Sequence, residues 1–161
     1  MDNELYALAE AAGRALKARG IMLATAESCT GGWIGQAVTM VPGSSEWFDR
    51  GFVTYTNTAK QEMLGVPEMA LARHGAVSEA TVCAMAQGAL ARSHAGIVIA
   101  VSGVAGPGGG TAEKPVGMVC VAWLLKGGTP VAETLQLDGD RDAVRRETVV
   151  RALRGVLTRA G

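Results

Sequence analysis

Aromatic side chains are scarce in this chain, at 4% of its residues, whereas 48% are hydrophobic and 22 are glycines. With so few rings, the interior must be filled by small aliphatic side chains, so helices and strands are expected to pack closely. An excess of one charge is also missing: 15 basic side chains meet 15 acidic ones, for a formal net charge of zero. That balance supplies no overall field to draw nucleic acid or an anionic membrane, and it leaves room for a local anion site. No apolar run approaches the roughly 20 residues that a bilayer span needs. The opening MDNELYALAE has neither a basic leader nor a hydrophobic signal core, so the expected location is the cytoplasm. His74 and His94 are the two histidines, too few for a metal cluster, and no metal site is expected. Cys29, Cys83 and Cys120 form an odd set without metal-type spacing and read as reduced thiols. A length of 161 residues suits one domain with a substantial core, and residues 1–161 are read as that domain.

What is present is a regular alternation of helical and extended patterns. Leu5, Leu8, Ala9, Ala12 and Leu16 recur at helical spacing, with Gly20 as the stop. A short buried strand is expected over Ile21 to Ala24 and a helix over Trp33 to Met40. Phe52 to Tyr55 look like a strand end, followed by a helix carrying Ala59, Met63 and Leu64 with Asn57 as N-cap. Ser78 caps another helix, marked by Val82, Met85, Ala86, Ala89 and Leu90, and His74 is placed in a turn before Gly75. Ile97 to Val101 is a β-branched run typical of a strand buried on both faces. Met118 to Leu125 and Val131 to Leu137 read as a hairpin through Gly127 and Gly128. A last helix begins near Asp140 and buries Val144, Val149, Leu153 and Val156. The fold class expected is α/β: a single three-layer α/β/α domain whose mixed sheet includes one antiparallel hairpin.

Chemistry concentrates in TAESCTGGW, Thr25 to Trp33, where a strand turns into a helix. Ser28 lies on that connection, and free amides at a helix start can hold an anion or a developing oxyanion. Gly31 and Gly32 allow close backbone approach. On this segment alone, an ordinary cap formed by Thr30 or Ser28 is the simpler explanation. Lys60 adds to the chemical reading, because it falls in the first turn of its helix. There the helix dipole and burial both disfavour an ammonium. A neutral lysine is a base able to activate a serine, whereas most lysines are simply solvated. Cys29 adjoins Ser28 at the same helix start, and the residues alone leave the two as equal claimants to the role of nucleophile.

TAESCTGG, GSSEWFDRGFVTYTNTAK, HGAVSE, VSGVAGPGGG, EKPVG and GDRDAVR, taken together and in this order, resemble the C-terminal domain of the CinA family, nicotinamide mononucleotide deamidases. Each string is weak alone, and six in sequence are specific. The resemblance implies an amidohydrolase that converts nicotinamide mononucleotide to nicotinate mononucleotide and ammonia through a serine and lysine pair. By motif, Ser28 is then the nucleophile and Lys60 the base, with Tyr55 close by to orient the lysine or relay a proton. The larger CinA architecture also carries an N-terminal molybdopterin-binding-like domain, which residues 1–161 are expected to lack.

The segment SGVAGPGGGT has neither the lysine and hydroxyl of a Walker motif nor the spacing of a dinucleotide fingerprint, which excludes ATPase and Rossmann readings. Its backbone amides can still cradle a phosphate. In the family this segment lines the substrate site, which assigns Ser102, Gly103 and Gly106 to binding, together with Thr30, Gly31 and Gly32 of the serine turn. Arg141 and Arg145 share a helix face and are the preferred phosphate ligands, Lys114 is a further candidate, and Arg146, Arg151 and Arg154 are assigned to surface pairing with Asp138, Asp142 or Glu147. No cofactor is expected. A pyridine-nucleotide sensor without turnover and an amidase for another carboxamide remain as alternatives. A homodimer is the default assembly, and Trp33, Trp47, Phe48 and the apolar face of the first helix either supply its interface or lie equally well in the core.

Overall fold

The computed structural model describes residues 1–161. Its helices are α1 (Asn3–Arg19), α2 (Trp33–Thr39), α3 (Asn57–Leu64), α4 (Glu68–His74), α5 (Glu79–Ala91) and α6 (Arg141–Ala160). The strands are β1 (Leu23–Glu27), β2 (Phe48–Val53), β3 (Ile97–Gly103), β4 (Met118–Leu125) and β5 (Val131–Gln136), in the spatial order β2-β1-β3-β4-β5. β1 runs parallel to both β2 and β3, while β3, β4 and β5 are successively antiparallel. The result is a mixed five-stranded sheet with helices on both faces.

Alternation along the strands divides the core in two. Leu23, Ile97, Ile99, Val101, Val121 and Trp123 point to the face covered by α1, α2 and α6. Ala24, Ala26, Val98, Ala100 and Ala122 point to the other face, beneath Leu64 of α3, Leu71 of α4 and Val82 and Met85 of α5. The alanine-rich side lets α5 lie close to the sheet, as the shortage of rings implies. Trp47 is 4% exposed and belongs to the core on the α1, α2 and α6 side rather than to a free face. So does the apolar side of α1, which packs with α6.

Several boundaries differ from the sequence reading, among them the end of β2, which stops at Val53 and leaves Thr54 and Tyr55 beyond it. β1 begins at Leu23 and extends to Glu27, because pairing with β2 and β3 carries the strand through Thr25 and Glu27, beyond the apolar run. Thr56, not Asn57, caps α3: its backbone stays extended and its hydroxyl accepts from the Ala59 amide at 3.0 Å. His74 ends a short helix, α4, rather than lying in a turn. No helix is long and apolar enough to cross a membrane.

Because β1 and β3 are parallel neighbours, the chain leaves both at the same edge of the sheet. Ser28, one residue past β1, donates its amide to the Val101 carbonyl at 3.1 Å, and so begins its turn anchored to β3. The segment after Gly103 and the N-termini of α3 and α6 gather at this edge as well.

Candidate active site

The Lys60 amine lies 2.9 Å from Ser28 Oγ, although the two residues are 32 positions apart. It also donates to the backbone carbonyls of Thr54 at 3.0 Å and Tyr55 at 3.3 Å. Lys60 is 1% exposed and forms no ion pair, and Ser28 is 7% exposed. Burial therefore pushes the lysine's pKa below its ordinary 10.5, against a smaller opposing effect of the Cys29 thiol. In the neutral amine, two hydrogens satisfy the two carbonyls, and the lone pair is left to accept from the serine hydroxyl.

A residue that the sequence reading left without a role shapes the serine turn. Glu27, 1% exposed at the end of β1, accepts from the Thr30 hydroxyl at 2.6 Å and from the amides of Ile34 at 2.9 Å and Gly35 at 3.0 Å. Its carboxylate thus caps α2 from inside the fold, where no residue at the N-cap position supplies a side chain. Gly31 and Gly32, at φ 60° and 102°, make the left-handed turn that places the helix start over this carboxylate. The Gly31 amide is engaged by the Ser28 carbonyl at 3.0 Å, whereas the Thr30 amide donates to no acceptor in the protein.

Ser28, Cys29, Tyr55, Asn57, Lys60, Ala76, Val77, Ser102, Gly103, Ala105 and Arg141 enclose a cavity of about 180 Å³. A wider groove of about 540 Å³ shares Ala105 and Arg141 with it and continues along Pro107, Val116 and residues 139–142. At their junction, Arg141 donates to the Gly106 carbonyl at 2.8 Å and to the Tyr55 hydroxyl at 3.1 Å. Tyr55 is 59% exposed, and its ring is not packed in the core. Arg145, one turn along α6, does not line the cavity. Its guanidinium donates to the carbonyls of Cys29 at 3.0 Å and Thr30 at 3.3 Å and lies over the Trp33 ring. Lys114 is also turned elsewhere, onto the His74 carbonyl. Arg146 pairs with Asp2 and Glu4, Arg154 with Glu4, and Arg151 with Glu147. No group of three or more histidine, cysteine or carboxylate side chains assembles for a metal ion.

The sequence profile of the CinA C-terminal domain matches residues 5–160. The chain belongs to this family. It is 53% identical over 152 residues to nicotinamide-nucleotide amidohydrolase PncC of Escherichia coli K12, covering 94% of this chain and 92% of that protein. To the protein of the same name from Pseudomonas putida it is 53% identical over 155 residues, covering 96% of each. Among solved structures, the competence/damage inducible protein CihA of Agrobacterium tumefaciens superposes with a TM-score of 0.93 at 46% identity, covering 96% of this chain and 94% of that one.

In this member of the CinA C-terminal domain family, the two residues that the sequence leaves as rivals differ in environment. Burial, reinforced by the Glu27 carboxylate, pushes the Cys29 thiol up to about 11, so it is protonated at neutral pH. Ser28 instead has a desolvated amine at hydrogen-bond distance. Asn57, Ala76 and Val77 fall within the strings TYTNTAK and HGAVSE, but the sequence reading gave them no place in the site, since that depends on how α3 and the segment before α5 lie beside the serine turn.

Proposed function

We propose that this chain hydrolyses the carboxamide of nicotinamide mononucleotide, releasing ammonia and nicotinate mononucleotide. The buried contact of 2.9 Å between the Lys60 amine and Ser28 Oγ carries the reading, and the names of the PncC relatives supply the substrate. The neutral Lys60 amine takes the hydroxyl proton as Ser28 Oγ bonds to the carboxamide carbon, and the carbonyl electron pair moves onto oxygen. The C–N bond then breaks, with the lysine returning the proton to the leaving nitrogen, and an acyl-serine and ammonia result. Water, deprotonated by the same amine, adds to the ester carbon. The C–Oγ bond breaks, the serine regains its proton, and the acid is released.

The cavity around Ser28 is smaller than pockets that enclose a whole small-molecule ligand, and it suits the reacting ring alone. The ribose phosphate then extends into the wider groove, past Arg141, whose guanidinium can hold a phosphate oxygen pair. Ser102 and Gly103 line the smaller space, Ala105 lines both, and Gly106 meets Arg141 at their junction through its carbonyl.

The test is ammonia release from nicotinamide mononucleotide and from free nicotinamide. Turnover of the nucleotide, lost in Ser28→Ala and much slower for the free amide, is expected, because truncation removes anchoring that the transition state uses. Tight binding without ammonia would make the chain a sensor, and equal rates on both amides would remove the phosphate from the account.

A further inference from the structure

We propose that Lys114 is a positioning residue that holds one wall of the serine cavity, Ala76 and Val77, against the glycine segment. The inference rests on the hydrolytic reading above. Ala76, Val77 and Ala105 give the cavity its aliphatic lining, beside the polar groups of Ser28, Asn57, Lys60 and Ser102. A planar ring whose carboxamide meets Ser28 and Lys60 packs on that lining, so the place of residues 76 and 77 sets where the reacting carbon stands.

The side chains of Ala76 and Val77 pack at the edge of the core with α5, but their backbones form no hydrogen bond within the protein. The segment is held at its start instead. The Gly75 carbonyl accepts from the hydroxyls of Ser78 at 3.0 Å and Thr81 at 2.6 Å, which tie it to α5. The His74 carbonyl, left open at the end of α4, accepts from the Lys114 amine. Lys114 is half-buried, forms no ion pair and lines neither cavity, so this carbonyl is the partner of its amine within the protein. The amine lies along the Gly75 peptide: at φ 79° that residue carries no side chain, and a Cβ there would stand 2.6 Å from the nitrogen. At its own end the lysine is fixed by a turn, in which the Thr111 amide donates to the Lys114 carbonyl at 2.9 Å and the Lys114 amide to Thr111 Oγ1 at 3.0 Å. The same loop carries Ala105 and is closed at its base by the Gly117 amide on the Val104 carbonyl at 2.7 Å. Gly106, Gly108, Gly109 and Gly110 give it little stiffness of its own. Lys114 thus straps two walls of one cavity together, and it joins the strings HGAVSE and EKPVG, which the reaction itself leaves without a task.

Steady-state kinetics of Lys114→Met and Lys114→Arg on nicotinamide mononucleotide and on its riboside, which lacks the phosphate, test this together with backbone order parameters. Lys114→Met is expected to lower kcat on the nucleotide roughly tenfold at a KM within about twofold, because the ring is misplaced while its phosphate stays anchored. The riboside should lose kcat by the same factor, since the two share the ring. Lys114→Arg, which keeps a donor for the carbonyl, should recover most of the loss. In Lys114→Met without substrate, the order parameters of residues 75–77 should drop from about 0.85 towards roughly 0.6, with those of the sheet unchanged. A loss confined to the nucleotide and carried by KM would make Lys114 a phosphate ligand and overturn the proposal, as would unchanged kinetics or unchanged order parameters. If Lys114→Met does not fold, Lys114→Gln is judged by the same criteria, and if wild type does not turn over the riboside, the split between kcat and KM on the nucleotide decides. Wild-type protein that releases no ammonia defeats the substrate assignment, and the order parameters then decide whether Lys114 holds the wall.

Discussion

In the proposed mechanism Lys60 carries most of the chemistry at the residue scale, and its protonation state is testable. With its pKa lowered by burial, the amine must lose a proton before it can accept one from Ser28. The rate is therefore expected to rise with pH along a limb whose inflection lies below 10.5. Lys60→Arg, which stays charged, should be inactive across the whole profile. Lys60→Met should also be inactive yet raise the melting temperature, because a buried amine without a counterion is replaced by an apolar chain of similar size. Cys29→Ala is expected to keep most activity, and its thiol, held near 11, should react slowly with alkylating agents at pH 7. The pairing of Ser28 with Lys60 was legible in their motifs, but the distance between them was not, since it depends on β1 and β2 being parallel neighbours. Glu27 was hidden for a similar reason. Its partners lie seven and eight residues ahead, on the first turn of α2, and no capping pattern links a strand-end glutamate to amides that far away.

At the scale of elements, the approach of α6 to the sheet depends on Gly155. A Cβ there would stand 2.1 Å from the Trp123 ring, whose Nε1 is tied to the Ala152 carbonyl. Gly155→Ala should cost about 1–3 kcal/mol of stability by overpacking, seen as a lowered denaturant midpoint at unchanged slope. The capping of α2 by Glu27 belongs to this scale too. Glu27→Gln keeps the shape but replaces one acceptor oxygen by a donor, facing amides or a hydroxyl that need acceptors. A loss of about 1–3 kcal/mol is expected, together with reduced kcat as the serine turn loosens. Strands and helices with strong periodicity were legible: α1, α5, β3, the β4 and β5 hairpin and α6 lie close to where their patterns predict. α4 was not, since Glu68 to His74 is short and buries only Leu71. β2 was read only at its end, because it is an edge strand whose residues are largely exposed or half-buried.

For the molecule as a whole, the two long helices are joined at the surface by Arg146, which meets Asp2 at 2.7 Å and Glu4 at 2.9 Å. The guanidinium holds the Asp2 carboxyl down at about 2, below its ordinary 3.8. The unfolded chain binds that proton more readily, so the contribution of the pair is complete above 3.8 and disappears as pH falls through about 2. Asp2→Asn should therefore melt below wild type at pH 7, and the difference should vanish near pH 2. The architecture itself explains why the serine, the lysine, the glycine segment and Arg141 meet: parallel β1 and β3 send their outgoing chains to one edge, where α3 and α6 also begin. The meeting of the serine turn with the glycine segment was foreseeable if their strands are parallel neighbours, whereas the arrival of Lys60 and Arg141 was not. The separation of Arg141 from Arg145 was not, because both share one face of α6 and only the position of the serine turn assigns the first to the cavity and the second to the backbone.

The most direct measurement is peptide mass mapping of protein quenched with acid during turnover of nicotinamide mononucleotide. The account predicts a nicotinate mononucleotide acyl group on Ser28, absent from Ser28→Ala and from protein incubated without substrate. The same group found on Cys29, or turnover that persists in Ser28→Ala, would contradict it.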